Sequence, residues 1–229
     1  MEFNLGTFLM VAPILLFSMT AHEWAHGYAA LKQGDPTAYQ MGYVTWNPVK
    51  YIDPIMTIIV PIISFFWWHF PFGGMRSGPI RSRNFRNFKR GDIIVSLAGV
   101  AANFTLIFVF ALLFALTGLV GRLAPAIASP LSTLQTMAFW GIQLNTILVG
   151  INTLPLPPFD GSVLPRHLLP AAWAAEYQKL QPFGFFIMVF VFTIGTGILY
   201  AWMTPFLFIQ QIVIAVVTPL ALGRGGWAL

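Results

Sequence analysis

Long apolar runs are the feature that most constrains how this chain can fold. An α-helix needs about 20 mostly apolar residues to cross the hydrocarbon core of a bilayer. Five such runs lie between polar breaks, at roughly residues 4–31, 92–120, 133–154, 182–203 and 205–222. A sixth run, 52–70, is interrupted by Pro54 and Pro61 and is barely long enough, so it is expected either to cross or to re-enter the membrane. The runs predict an all-α polytopic membrane protein with about five to six transmembrane or re-entrant helices.

Composition supports the same class. Only 8% of the 229 residues are charged and 57% are hydrophobic, whereas soluble domains carry about 25% charged residues. Cysteine is absent, which excludes disulfides and thiolate zinc sites and leaves His, Asp and Glu as candidate metal ligands. No internal repeat or low-complexity linker is evident, so a single membrane-embedded domain is expected over residues 1–229.

Basic residues are concentrated in one loop. Six of the twelve Lys and Arg residues lie between Arg76 and Arg90, beside long apolar segments. Such a cluster is typical of a cytoplasmic loop that faces anionic lipid, and no nucleic-acid partner is expected. The N-terminus lacks the positive region of a secretory signal, so the first run is expected to be retained.

Two short segments are expected to form strands. Residues 37–45 read TAYQMGYVT, with aromatic and β-branched residues interleaved with polar ones, and residues 75–80 follow the pair Gly73-Gly74. Strand edges at membrane depth are tolerated only where protein buries them or where they line a wet cavity. A small membrane-associated β element is therefore predicted.

A H-E-x-x-H pattern stands near the end of the first apolar run, as His22-Glu23-Trp24-Ala25-His26. Residues four apart share one face of a helix, so both imidazoles can reach one metal ion while Glu23 can reach its bound water. The alternative is a pair of buried histidines bonded to their neighbours. Ionisable residues in membrane helices are rare and usually functional, which favours the metal site.

A catalytic zinc ion has three protein ligands and one open position, so a further ligand must come from elsewhere. The other candidates are Glu2, Asp35, Asp53, Asp92, Asp160, Glu176, His69 and His167. Asp160 stands out because prolines end the preceding apolar helix and Asp160-Gly161 favours a tight turn. The residues alone leave two interpretations open, a metal ligand or an N-cap for the helix from Ser162 onward. His69 follows two tryptophans and fits an interfacial belt better than a ligand.

The two motifs together resemble the site-2 protease family of intramembrane zinc metalloproteases. That family pairs H-E-x-x-H with a distal N-x-x-P-x-x-x-x-D-G, and this chain has Asn152, Pro155, Asp160 and Gly161 in that register. The resemblance implies that one Zn²⁺ per chain binds to the three ligands His22, His26 and Asp160. It also implies that Glu23 is the catalytic carboxylate.

The resemblance extends from about residue 20 to about residue 165. It includes Ser96-Leu-Ala-Gly99-Val100-Ala-Ala-Asn103, in which Val100 stands where relatives usually have Pro, and relatives tend to have His at Tyr51. It implies a minimal core without a PDZ or CBS domain. The catalytic core is expected at about residues 4–165, with C-terminal helices at about 182–222.

Two asparagines lie in the apolar runs that carry the motifs. Asn103 and Asn152 are either helix–helix contacts worth about 0.6 kcal/mol per hydrogen bond or, as the resemblance implies, groups that bind the substrate backbone or the oxyanion. Gln143 and Asn145 belong to no motif and are expected to be structural.

The expected activity is hydrolysis of peptide bonds in transmembrane segments of other membrane proteins. Zinc lowers the pKa of its water from 15.7 toward about 7, and Glu23 takes the proton as that water attacks the carbonyl. The same acid can then protonate the leaving amine. The substrate is expected to unwind and to pair with the edge of 37–45 or 75–80. Expected partners are such substrates, the lipid bilayer and a regulatory membrane protein.

Two other functions compete with proteolysis. A metal or proton transporter would also place His and Asp in the membrane, but a proton relay normally needs ionisable groups on several helices. A scaffold with a structural zinc would not need Glu23 beside His22.

The positions of the motifs constrain topology. His26 and Asp160 each lie near the C-terminal end of an apolar run and must meet, so both runs travel in the same direction. Run 92–120 reverses direction once, which requires 52–70 to begin and end on one side. The basic loop puts the catalytic end toward the cytoplasm, with Arg166, Lys179 and Arg224 on that side. The expected location is the plasma (inner) membrane of a prokaryote.

Overall fold

The computed structural model describes residues 5–68 and 73–222, and of residues 65–68 it describes the backbone alone. This part of the chain is helical, as the apolar runs predict. The α-helices are α1 (Leu5–Gln33), α2 (Thr37–Gln40), α3 (Val60–Trp68), α4 (Phe88–Leu123), α5 (Ala128–Asn152), α6 (Val163–Leu168), α7 (Ala171–Gln178), α8 (Gly184–Thr193) and α9 (Thr196–Val217). Short 3₁₀ turns span Pro48–Tyr51, Ser82–Asn84, Pro125–Ile127, Asp160–Ser162, Gln181–Phe183 and Thr218–Leu220, and a π-helix spans Pro54–Ile59.

Four helices of the described chain are long and apolar enough to cross a membrane, at Leu5–Gln33, Phe88–Leu123, Pro125–Asn152 and Thr196–Leu220. Their outward faces carry large apolar side chains, for example Phe108, Leu112 and Leu116 on α4. Apolar side chains on an outer surface suit contact with lipid. These helices indicate a membrane protein.

The expected division of residues 182–222 into two membrane runs is corrected. Runs 182–203 and 205–222 are not two crossings, because the helical break falls at Ile194 and Gly195 while α9 continues through Pro205. The N–H groups of Ile194 and Gly195 both donate to the carbonyl of Phe190, where α8 ends. The 10 residues of α8 span about 15 Å, about half of the hydrocarbon core.

The β element is absent from the described residues, so the strand prediction is wrong there. Residues 37–40 form α2, because the carboxylate of Asp35 accepts hydrogen bonds from the N–H and hydroxyl of Thr37 and starts a helical turn. Gly42 has φ +72°, which a strand does not accommodate. Residues 75–80 have no regular secondary structure, since single bonds such as Arg76 N–H to Tyr51 O do not make a ladder. The expected strand edges for substrate pairing are therefore missing as well.

The stretch from Met56 to Gly74, which contains most of the apolar segment Pro54–Trp68, begins and ends on one side. The N–H of Gly74 donates to the carbonyl of Met56, and the hydroxyl of Thr57 donates to the carbonyl of Gly74. The 15 residues of the segment reach about 22 Å at helical rise, short of the roughly 30 Å core. Adjacent ends and short length are what a re-entrant hairpin requires.

Helices α1, α4, α5 and α9 form the bundle. In its core Ile107 and Phe114 of α4 pack with Ile142 of α5 and Ile214 of α9. Contacts between α4 and α5 run from Asn103 with Asn145 to Phe114 with Gln135, so these helices are antiparallel.

The directions of the helices bring two C-terminal ends together. On α1, His22 contacts Asn103 and His26 contacts the earlier residue Val95, which makes α4 antiparallel to α1 as well. Helices α1 and α5 therefore run in the same direction and end on the same side, as the motif positions require.

Candidate metal centre

His22 and His26 lie one helical turn apart on the buried face of α1. Their side chains point the same way because residues four apart lie on one helix face. The two Nε2 atoms are 3.0 Å apart, and both residues are buried.

Asp160 reaches this pair from the loop that follows α5. Its Oδ2 lies 3.1 Å from Nε2 of His22 and 3.3 Å from Nε2 of His26. Gly161 lets the loop close onto the end of α5, because a Cβ there would collide with the carbonyls of Thr153 and Leu154. The side chain of Asp160 makes no capping hydrogen bond to the helix that follows. The N-cap alternative is therefore not what the structure contains.

The three ligand atoms fit a zinc ion. Tetrahedral coordination with bonds of about 2.0–2.1 Å separates ligand atoms by about 3.3–3.4 Å. The observed separations are 3.0, 3.1 and 3.3 Å. Oδ2 of Asp160 is buried and receives no hydrogen bond within the described part of the chain. Two imidazoles and one carboxylate are a donor set that catalytic zinc uses, so His22, His26 and Asp160 could hold this ion.

Helix α4 forms the wall behind the histidines. Nδ1 of His26 is 2.7 Å from the carbonyl of Val95, and Nδ1 of His22 is 2.6 Å from Oδ1 of Asn103. Gly99 lies between these two contacts. A Cβ at Gly99 would stand 2.5 Å from Cε1 of His22 and 2.5 Å from Nε2 of His26, so only glycine lets α4 approach the imidazoles this closely.

Glu23 lies beside the ligands with an unsatisfied carboxylate oxygen. It is 8% exposed, and its Oε2 is buried without a hydrogen-bond partner among the described residues. It lines a cavity of about 240 Å³ together with His22 and Asp160. A carboxylate that faces this cavity is placed to exchange a proton with a molecule inside it.

The two asparagines singled out in the sequence differ in position. Asn152 lines the cavity and is partly exposed. Asn103 is fully buried behind His22 and does not line the cavity.

Sequence reasoning missed Ser18, Val95 and Asn145 as neighbours of the site. The amide of Asn145 contacts Asn103 and Ser18, and the carbonyl of Val95 contacts His26. Spacing carries a signal for two of them, because Ser18 stands four residues before His22 and Val95 four before Gly99. Asn145 has no comparable signal.

The other acids and histidines of the described residues do not join this group. Asp92 accepts from Arg166 at 2.9 Å and contacts His167 at 2.6 Å, which ties α6 to the start of α4. Asp53 caps the π-helix, and Glu176 forms an exposed pair with Lys179. Glu2, His69 and Arg224 lie outside the described residues.

Three named relatives set the family context. The chain is 35% identical over 189 residues to "Putative zinc metalloprotease YwhC" of Bacillus subtilis, covering 81% of this chain and 82% of the relative. It is 34% identical over 185 residues to "Putative zinc metalloprotease Rip2" of Mycolicibacterium smegmatis, covering 80% of this chain but only 66% of that relative. "Putative zinc metalloprotease MJ0611" of Methanocaldococcus jannaschii is 37% identical over 80 residues, covering 35% of this chain and 36% of the relative.

No family model and no solved structure matches the chain. The similarity to YwhC spans most of both chains. The structure brings the histidines of H-E-x-x-H and Asp160 into one group of metal-binding type. The chain belongs to the site-2 protease family of zinc metalloproteases.

Proposed function

We propose that this protein is an intramembrane zinc endopeptidase that cleaves transmembrane segments of other membrane proteins. The observation that carries the proposal is the buried triangle of His22, His26 and Asp160, with Glu23 beside it in one cavity. The triangle lies among helices of membrane-spanning length and has zinc-compatible spacing.

The proposed roles follow from the positions of the side chains. His22, His26 and Asp160 would hold a zinc ion, which would polarise a scissile carbonyl and make water more acidic. Glu23 would take a proton from water at its unsatisfied Oε2 and pass it to the leaving amine. The amide of Asn152 lines the same cavity and would bind the substrate backbone or the oxyanion.

We expect the substrate to be unwound where it enters the cavity. A transmembrane helix keeps its peptide groups in internal hydrogen bonds, so a peptide bond must leave the helix before it can be attacked. The cavity is lined on one side by Gly74, Met75 and Ser77, which lie in irregular backbone beside the ligands.

The proposed location is the inner membrane of a prokaryote, with the metal centre toward the cytoplasm. The end of the bundle where α1 and α5 finish also carries Lys32, Arg166 and the basic loop. Arg122, at the other end of α4, is the only Lys or Arg between residues 91 and 165. This asymmetry follows the excess of basic residues in cytoplasmic loops. A regulatory membrane partner remains part of the proposal.

The decisive comparison is wild type against Glu23→Gln. Both proteins, purified in detergent, are assayed for zinc content and for cleavage of a generic membrane-helix substrate. About one zinc per chain in both, with cleavage by wild type alone, is the expected result. Zinc-loaded wild type that cleaves no substrate but moves zinc or protons across vesicles would reject the protease in favour of transport.

The distribution of charge argues against transport. Helices α5 and α9 contain no Asp, Glu, Lys, Arg or His. A proton or metal path across the bilayer would need ionisable groups on more than one spanning helix.

A further inference from the structure

Three buried polar side chains behind His22 form one continuous hydrogen-bonded chain. Asn103, Asn145 and Ser18 are each 0% exposed and come from α4, α5 and α1 respectively. They are not needed to assemble the three ligand atoms, and Asn103 does not line the cavity. Their hydrogen bonds nevertheless have a fixed direction that leads to the metal centre.

The direction is set at a backbone carbonyl of α5. The carbonyl of Gly141 lies 2.8 Å from one end of the Asn145 amide, and a carbonyl can only accept. The end of Asn145 that faces it is therefore the NH₂ group, which also donates to Oγ of Ser18 at 2.9 Å. The oxygen of Asn145 must then face Asn103.

The orientation of the Asn145 amide also fixes the orientation of the Asn103 amide. Nδ2 of Asn103 donates to Oδ1 of Asn145 at 2.8 Å and lies 3.3 Å from the carbonyl of Ser18. Both partners are acceptors, so the oxygen of Asn103 is turned toward His22. That oxygen lies 2.6 Å from Nδ1 of His22, and an amide oxygen can only accept.

The series of hydrogen bonds ends at His22 and fixes the tautomer of its imidazole. His22 must carry its proton on Nδ1, which leaves the lone pair of Nε2 facing His26 and Asp160. A single hydrogen bond fixes the same tautomer of His26, because its Nδ1 faces the carbonyl of Val95. Both Nε2 lone pairs therefore point into the triangle, as metal ligation requires.

We propose that Asn103 and Asn145 are positioning residues that hold His22 in the tautomer and orientation able to bind a metal ion. Asn103 acts directly on the imidazole, and Asn145 acts through Asn103. This inference rests on the proposed metal centre and assigns to Asn103 a role behind the ligand. The simpler view, that both amides only join helices, makes different predictions for metal affinity.

The first test is zinc affinity by chelator competition on the full-length detergent-solubilised protein. Asn103→Leu removes the acceptor from Nδ1 of His22 and is expected to lower zinc affinity by about 10- to 100-fold. The matched control is Gln135→Leu. Gln135 is also a fully buried amide between helices, but its partners are Phe114, Leu220 and Leu222, away from the ligands. Its loss should lower stability and leave zinc affinity unchanged.

A double substitution separates action through Asn103 from independent action. Asn145→Leu alone should lower zinc affinity by less than Asn103→Leu, because the carbonyl of Ser18 still holds Nδ2 of Asn103. The double variant should match Asn103→Leu within about twofold, since of these three polar side chains only Asn103 hydrogen-bonds to the imidazole of His22. A clearly additive loss of zinc affinity in the double variant would overturn the proposal that Asn145 acts through Asn103.

A second readout needs no metal. The chain has only four histidines, so ¹⁵N-histidine labelling with a His22→Gln reference identifies the ring nitrogens of His22. Metal-free wild type should show the proton of His22 on Nδ1, and Asn145→Leu should add the other tautomer even if Asn103→Leu fails to fold.

Two results overturn the inference while leaving the metal centre intact: wild-type zinc affinity in Asn103→Leu, or a His22 in metal-free wild type that carries a proton on Nε2 and none on Nδ1. If wild type binds no zinc at all, the proposed metal centre is rejected. The proposed positioning roles of Asn103 and Asn145 are then rejected with it.

Discussion

Single residues decide how closely the helices can approach the metal centre. A Cβ at Gly99 would collide with the imidazoles of His22 and His26. A Cβ at Gly161 would collide with the backbone that follows α5. Neither glycine has a positive φ, so backbone conformation does not require glycine there. The close approach of neighbouring atoms is the reason for glycine at both sites.

Substitution of Gly99 by alanine is expected to damage the metal centre while helix α4 persists. Overpacking typically costs about 1–3 kcal/mol, and here the displaced groups are the proposed zinc ligands, so zinc affinity should fall about tenfold or more. Chelator competition measures this loss, and peptide cleavage should fall with it.

Gly197 provides the matched control for Gly99. It lies exposed on α9, and a Cβ added there meets nothing within 4 Å. Gly197→Ala should keep wild-type zinc affinity and gain up to about 1 kcal/mol of helix stability. Equal zinc affinity in Gly99→Ala and Gly197→Ala would contradict the packing argument.

The grouping of His22, His26 and Asp160 could be predicted from the sequence, but the surroundings of this group could not. The spacing of His22 and His26 places both on one helix face, and the distal motif supplied Asp160. Asn145 was expected to be structural because no local pattern reports which amide a neighbouring helix will contact. Asn103 was expected to be either a helix contact or a substrate-binding group, and the structure places it behind His22.

At the scale of elements, Asp35 joins the end of α1 to the loop before α4. Its carboxylate accepts from the N–H of Arg81 at 2.6 Å and from the amide of Asn84 at 2.8 Å, as well as from Thr37. These contacts explain why residues 37–45 failed as a strand. Aromatic and β-branched composition favoured extended backbone, but the hydrogen bonds from Thr37 to the buried carboxylate of Asp35 outweighed it.

Asp35 should make the stability of this junction depend on pH. Burial alone would raise the pKa of the carboxyl, but hydrogen bonds from Arg81, Thr37 and Asn84 outweigh burial and hold the pKa below its ordinary value of 3.8. The folded state therefore favours the ionised form. The resulting stability is present above pH 3.8 and is lost as the pH falls from there through the lower folded pKa.

Asp35→Asn tests this dependence. The amide cannot accept all the donors at the site, so the variant should lose about 1–3 kcal/mol at neutral pH. Thermal unfolding in detergent should show this deficit shrinking as the pH falls below 3.8, because wild type then loses its own contribution. A deficit that stays constant with pH would show that the charge of Asp35 does not matter.

For the whole molecule, the division of the C-terminal apolar residues into helices is where sequence and structure differ most. Residues 182–222 are almost continuously apolar, so composition alone does not locate a break within them. The break at Gly195 leaves one long helix, α9, that starts beside α5 near Gly150 and ends beside Gly118 and Gln135. Residues 218–220 therefore lie at the opposite end of the bundle from the metal centre.

The absence of cysteine makes this arrangement directly testable, because any single cysteine introduced into the chain is a unique label. Ser82→Cys lies in the basic loop, whereas Ser129→Cys and Thr218→Cys lie at the other end of the bundle. In intact cells, a membrane-impermeant thiol reagent should label positions 129 and 218 but not position 82. Permeabilised cells should show labelling at all three positions. Labelling of 129 without 218 would restore a further crossing after residue 203, and labelling of 82 alone would place the metal centre outside the cytoplasm.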